Sequence, residues 1–348
     1  MELLMELVPP TTLQKFEISG YISASFPDWL MSIGNYLPNI VQMEMYNMPN
    51  CNSLPPFSQL PNLQVLTLEG MKSLEEWNTT LSIGEDELMY HKLEKVNINY
   101  CPKLRIKQHL PRAASWSIKG SDNVLISWPE SVSDNDVSSS SSPVGVSTNL
   151  TVENTEVPLH LWRLLHHLPA ISDLHIQSCD DLTSFPEISW ALRSLQSLTL
   201  QYLAQSELSR WVGELSSLQQ LVITRCNVLE ELPDSMRQLK QLQSLTLSTC
   251  RSLRQLPLWL GELTSLKKLI ILRCSAITTL PNSLQQLTNL QELEIHACPK
   301  LEQWLQAEEN KPKLAHIEQK RIYFRPKSAA SRRCFPLRWP LLQTKLRK

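Results

Sequence analysis

Four cysteines, Cys226, Cys250, Cys274 and Cys298, lie 24 residues apart. A column of thiols at fixed spacing could hold a soft metal or cycle between thiol and disulfide. The spacing argues against both chemistries. Zinc sites draw their ligands from pairs two to four residues apart, and no Cys-x-x-Cys occurs anywhere in the chain. Cys179 shares the same phase, and Leu203 fills the slot between it and Cys226. A slot that takes a thiol or a leucine is a packing position, so the file is expected to be buried and reduced. Signatures of other chemistry are missing too: there is no GxGxxG, no GxxxxGK followed by Ser or Thr, no HExxH and no GxSxG. The adjacent His166 and His167 read as surface or capping residues. Asp180 and Asp181, which follow Cys179, read as turn acids. No enzyme, resident cofactor or metal is expected.

The elements that carry the cysteines explain their spacing. Residues 215–238 read LSSLQQLVITRCNVLEELPDSMRQ, residues 239–262 LKQLQSLTLSTCRSLRQLPLWLGE, and residues 263–286 LTSLKKLIILRCSAITTLPNSLQQ. All three are copies of LxxLxxLxLxxCxxLxxLPxxLxxL, and a fourth begins at Leu287. A period in the twenties is the mark of a leucine-rich-repeat solenoid, one strand and one return leg per unit. Leu245 and Leu247 are two apart and share a strand face, with Thr246 on the other. Leu239 and Leu242 enter the interior before the strand, and Leu253, Leu256 and Leu260 re-enter it on the return leg. Pro257 has no N–H for a ladder and belongs to that leg. The predicted fold is an α/β repeat solenoid, a horseshoe with a concave parallel β-sheet and about twelve coils. Strand cores are placed at residues 16–18, 43–45, 66–68, 96–98, 116–118, 150–152, 174–176 and 198–200, and around residues 222, 246, 270 and 294.

The organisation along the chain follows. Residues 1–130 are irregular repeats, and residues 131–147, SVSDNDVSSSSSPVGVS, are too poor in apolar side chains to join a core and read as a disordered insertion. Residues 148–324 are the regular 24-residue repeats, with Leu314, Ile317 and Ile322 closing the end. Residues 325–348 read as a basic disordered tail. The formal net charge is −1, yet residues 311–348 hold twelve Lys or Arg against one Glu, so the repeats are acidic. No apolar run reaches the roughly 18 residues of a membrane span. The opening MELLMELVPP has no basic segment of the kind that begins a secretory signal.

With the leucines committed to the frame, the outward strand positions are left for recognition. One file runs His175, Thr199, Val222, Thr246, Ile270 and Glu294; a second runs Gln177, Gln201, Thr224, Ser248, Leu272 and His296. A third carries Ser178, Tyr202, Arg225, Thr249, Arg273 and Ala297. The candidate protein-binding residues are His175, Gln201, Tyr202, Arg225, Thr246, Arg273, Glu294 and His296, with Tyr202, Arg225 and Arg273 the better anchors by residue type. Trp211 and Trp259 recur where alternate units carry Ser235 and Ser283, and fit convex packing or binding equally.

The repeat unit, with Cys where extracellular plant repeats place Asn before a Gly-x-Ile-Pro signature, resembles the leucine-rich-repeat region of plant nucleotide-binding, leucine-rich-repeat disease-resistance proteins of the coiled-coil class. LVPPTTLQKFEISGYISASFPDWL (7–30), LPNIVQMEMYNMPNCNSLPPFSQLPNLQVLTLEGM (37–71) and KPKLAHIEQKRIYF (311–324) are similar to that region's start, middle and closing strand. The resemblance implies a cytoplasmic module that senses a pathogen effector or restrains a nucleotide-binding domain of the same receptor family. Its partner would be a protein, not a nucleic acid. The domains that precede the repeats in such receptors are absent from this sequence, so a truncated product is expected, and ADP or ATP would enter only through a longer one. The alternative is a freestanding intracellular scaffold or adaptor without an immune role.

Overall fold

The computed structural model describes residues 9–79, 90–107, 110–128, 147–168, 170–179, 181–182, 192–205, 208 and 210–323. The Ser-rich stretch up to residue 146, Asp180 and the basic tail lie outside the described residues. The strands are β1 (Lys15–Ser19), β2 (Gln42–Tyr46), β3 (Val65–Glu69), β4 (Glu76–Asn78), β5 (Lys95–Asn99), β6 (Arg105–Lys107), β7 (Ser115–Lys119) and β8 (Thr148–Thr155). They continue with β9 (Ile171–Cys179), β10 (Ser197–Gln201), β11 (Gln220–Thr224), β12 (Ser244–Ser248), β13 (Lys268–Leu272), β14 (Glu292–His296) and β15 (Gln319–Tyr323). Thirteen of them form one parallel sheet in chain order, skipping only β4 and β6. Each of the twelve expected strand cores falls in one of these strands, and β15, carrying Ile322, is the closing strand.

Register follows from the alternation. Leu221, Leu245, Leu269 and Leu293 are successive Cα partners, as are Ile223, Leu247, Ile271 and Ile295. Slipping one strand by a single residue would turn its whole buried set to solvent, so the leucine pattern holds the register. The interior is continuous from Phe16 to Ile317. Leu239, Leu242, Leu245, Leu247, Leu253 and Leu260 are each fully buried, and a buried Leu contributes about 1.5–3 kcal/mol before chain entropy is subtracted.

The return legs of the regular coils are 3-10 turns, Arg210–Glu214, Asp234–Gln238, Leu258–Glu262 and Asn282–Gln286; the last three each follow a proline. Trp211 and Trp259 are buried in these turns, which assigns them to packing. The Trp211 indole donates to the Leu182 carbonyl at 2.8 Å. Two residues beyond each Trp stand Gly213 and Gly261, and a Cβ at either would overlap the carbonyl of Ser235 or Ser283 in the next coil. The convex legs are therefore paired over two repeats, Trp-x-Gly against Ser. Upstream, β4 and β6 form a small second parallel sheet on the return side, Trp77 opposite Ile106.

Candidate functional site

The thiols are placed by a turn that recurs at the end of every main-sheet strand from β1 to β14. There the backbone enters the left-handed region, at Gly20, Asn47, Gly70, Tyr100, Gly120, Asn154, Ser178, Tyr202, Arg225, Thr249, Arg273 and Ala297, with φ between 52° and 70°. This lets the ladder run one residue further: the N–H of Arg225, Thr249 and Arg273 donates to Ser248, Leu272 and His296 at 2.7–2.8 Å. The next side chain then points inward. In the later coils that side chain is Cys179, Leu203, Cys226, Cys250, Cys274 and Cys298, all buried, and Cys226, Cys250, Cys274 and Cys298 are thiols outside any disulfide. Cys226, Cys250, Cys274 and Cys298 each reach carbonyls of their own and the preceding strand, as Cys274 Sγ does at 3.5 Å to Leu272 and 3.6 Å to Leu247. Burial pushes the Cys226 thiol up to about 11 and Cys298 to about 12. Cys250 is raised by its hydrogen bond with Cys274 and then by burial. The column is a packing and weak-donor file, in which Cys274 is lowered by its hydrogen bond with Cys250. Among the described residues there is no group of three or more His, Cys, Asp or Glu placed to hold a metal ion. His167 lies against the Trp128 ring at 4.3 Å, and His166 is exposed.

The concave surface divides into two parts. On its N-terminal strands the outward polar groups satisfy one another. Lys15 pairs with Glu44 at 2.8 Å, and that hydrogen bond holds the Glu44 carboxyl below the usual carboxylate range. Gln42 also donates to Glu44. Asn97 donates to Thr67 at 3.0 Å and Asn99 to Glu69 at 3.1 Å. Lys119 pairs with Glu153 at 3.0 Å and lies over the Tyr100 ring. On β11 to β14 the pattern changes. Val222, Ile270 and Leu272 point outward and are half-buried, beside the exposed Arg225 and Arg273. At the start of these strands Glu292 pairs with Lys268 at 3.0 Å and Arg321 at 3.4 Å, which leaves the far rim without an ion pair among the described residues.

The eight candidate residues fall on this face. His175 on β9 is half-buried, and desolvation holds its imidazole below the usual histidine range, partly opposed by Glu153 and Gln201. Gln201 and Thr246 are half-buried on β10 and β12, and Glu294 is half-buried on β14. Tyr202 stands exposed at the rim with the Arg225 guanidinium 5.1 Å from its ring centre. Arg273 is exposed, and His296 meets Tyr323 edge-on at 5.5 Å. Tyr202, Arg225 and Arg273 are thus gathered on one rim, His296 borders it, and His175 lies away on the central strands. Choosing anchors by residue type passed over Ile270 and Leu272. Their signal was present in KLIIL, the strand whose apolar run occupies both phases.

A family model described as "Leucine-rich repeat region" matches residues 150–328, and one described as "R13L1/DRL21 LRRs" matches residues 1–71. The chain is similar to two disease resistance proteins of Solanum bulbocastanum. It is 28% identical to RGA1 over 124 residues, covering 29% of this chain and 12% of that protein, and 29% identical to RGA2 over 161 residues, covering 37% and 16%. The chain therefore spans less than a fifth of the length of the curated relatives it matches. Among solved structures it is similar to the leucine-rich repeat domain of the type III effector XopL, at 23% identity, a TM-score of 0.38 and coverage of 78% of this chain and 73% of that one. The Toll–Spatzle complex gives 13% identity, a TM-score of 0.45 and coverage of 91% and 41%. No described helix is long and apolar enough to cross a membrane.

Proposed function

From the premise that this chain belongs to the leucine-rich-repeat family, in a form similar to that of plant disease resistance proteins, we propose that it is the protein-recognition module of an intracellular plant immune receptor. It binds a pathogen effector or a receptor nucleotide-binding domain through the concave face of β11 to β14, in the cytoplasm. The observation that carries this reading is the contrast across the sheet. The N-terminal outward groups are engaged with each other, whereas Val222, Ile270 and Leu272 present apolar area beside Arg225 and Arg273. An apolar centre bordered by Arg and Tyr has the anatomy of a protein-binding hot spot.

The test is association with two partner classes, a nucleotide-binding segment from a receptor of this class and a panel of secreted pathogen proteins. The full chain should retain at least one partner. Leu272→Asp should lose it, and Leu258→Asp, at a convex residue 73% exposed, should keep it. Retention of neither class, or loss with Leu258→Asp alone, contradicts the proposal.

A further inference from the structure

The rim beside Leu272 contains a shallow pocket of about 320 Å³, lined by Thr249, Arg251, Arg273, Ser275, Ala297 and Pro299. Its lining includes two arginines, a threonine and a serine, and no acidic residue. Arg251 and Arg273 come from neighbouring coils, both are exposed, and neither has an ion-pair partner among the described residues. Guanidinium forks and hydroxyls are donor types that suit a bound carboxylate or other oxyanion.

The backbone supplies a second observation. Gly20, Gly70 and Gly120 show that the fold accepts glycine at the left-handed turn. At Arg225 and Arg273 a full side chain occupies that turn, at φ 57° and 55°, where a non-glycine residue costs about 1–2 kcal/mol. Other side chains, Ala297 and Tyr202 among them, stand at the same turn, so this geometry fixes the arginines at the rim, and the pocket that Arg273 lines fixes its role.

We propose that the Arg251–Arg273 pocket binds the carboxylate of an acidic side chain on a protein partner, with Leu272 and Ile270 taking an apolar neighbour of that acid. Arg225 occupies the same rim two coils before Arg273. Two strand spacings are roughly 9.6 Å, about three residues of extended chain. The partner segment is therefore acidic at positions three apart, with apolar residues between. This assignment rests on the protein-recognition reading above and names the chemistry of what is recognised.

The test uses the full chain and two fluorescein-labelled peptides, one of repeated Asp-Leu-Leu units and its Asn-Leu-Leu counterpart. At about 50 mM salt, where screening is weak, the Asp peptide should bind at least about tenfold more tightly than the Asn peptide. The preference should fall as salt rises. It should shrink to the share that Arg225 supplies in Arg251→Gln/Arg273→Gln and shrink further in Arg251→Glu/Arg273→Glu, with melting temperatures unchanged from the parent chain. If both peptides bind equally and Leu272→Asp abolishes both, the face recognises protein but the anion pocket is wrong. Binding of neither peptide overturns the pocket assignment, and the partner panel then decides the wider reading on its own. Displacement of the Asp peptide by sub-millimolar inorganic phosphate would assign the pocket to phosphate instead.

Discussion

A threonine at φ 59° and an arginine at φ 55° are costly local choices, and both stand at the one backbone position that turns each strand inward. That position separates the two duties of the repeat. The residue after it is buried in every coil, from Tyr21 to Cys298; the residue itself stands at the rim and varies. Cys101, Cys226 and Cys298 make a pH-dependent contribution of one sign, opposite to that of Cys274, which its hydrogen bond with Cys250 lowers. Cys101 and Cys226 are held up to about 11 and Cys298 to about 12, whereas an unfolded thiol titrates near 8.5. The folded chain therefore keeps protons that the unfolded chain releases. This stability is fully present below the unfolded value and is lost as pH rises from there through 11 and 12, by roughly 1–2 kcal/mol per thiol at pH 10. The melting temperature should fall between pH 8 and pH 10.5, and Cys226→Ala/Cys298→Ala should flatten that fall; an unchanged slope would mean that these thiols are not protonated in the core. Leu245→Arg places an unpaired charge between Leu221 and Leu269 and should abolish cooperative melting of the regular coils. Circular dichroism checks it, and a native-like melt would refute the strand phase. The leucine and cysteine positions were legible because one repeat decides all the others. The left-handed turns were not, because Arg, Thr and Tyr give no local signal for positive φ, and only the glycines Gly20, Gly70 and Gly120 with Asn47 and Asn154 hint at it.

At the scale of elements, strands and return legs carry unequal information in the sequence. A strand needs only its period of two, and the twelve strand cores were readable from Phe16 to Ile295. The return legs reveal a second level, since Trp-x-Gly in one coil meets Ser in the next. Trp211 and Trp259 alternate with Ser235 and Ser283 in the sequence, but their glycines had no evident purpose without knowledge of which backbone they touch. Gly261 allows the Leu258–Glu262 turn to lie directly on the Ser283 carbonyl. Gly261→Ala should therefore destabilise the chain by about 1–3 kcal/mol, the usual cost of overpacking, while Gly20→Ala meets no neighbour and costs only its backbone strain. Thermal denaturation of the pair checks this, and equal losses would show that the close approach is not what selects Gly261. The strands β4 and β6 escaped the sequence reading because three residues, EWN and RIK, are too short to show a period.

Over the whole molecule the sheet is one surface with two characters. Its frame is uniform, so the difference lies entirely in outward side chains: a mutually paired N-terminal stretch, a polar middle around His175, and an apolar, arginine-edged end. The sequence showed which residues face outward. It did not show which of them neighbours already engage, because Lys15 with Glu44 and Lys119 with Glu153 are 29 and 34 residues apart. The most direct measurement is a photo-crosslinking scan along the central outward file, placing the crosslinker in turn at Glu44, Asn97, Thr151, Thr199, Thr246 and Glu294 and challenging each full chain with the partner panel. Adducts should concentrate at Thr246 and Glu294, with none at Glu44. Adducts strongest at Glu44 or Asn97, or spread evenly along the file, would contradict it.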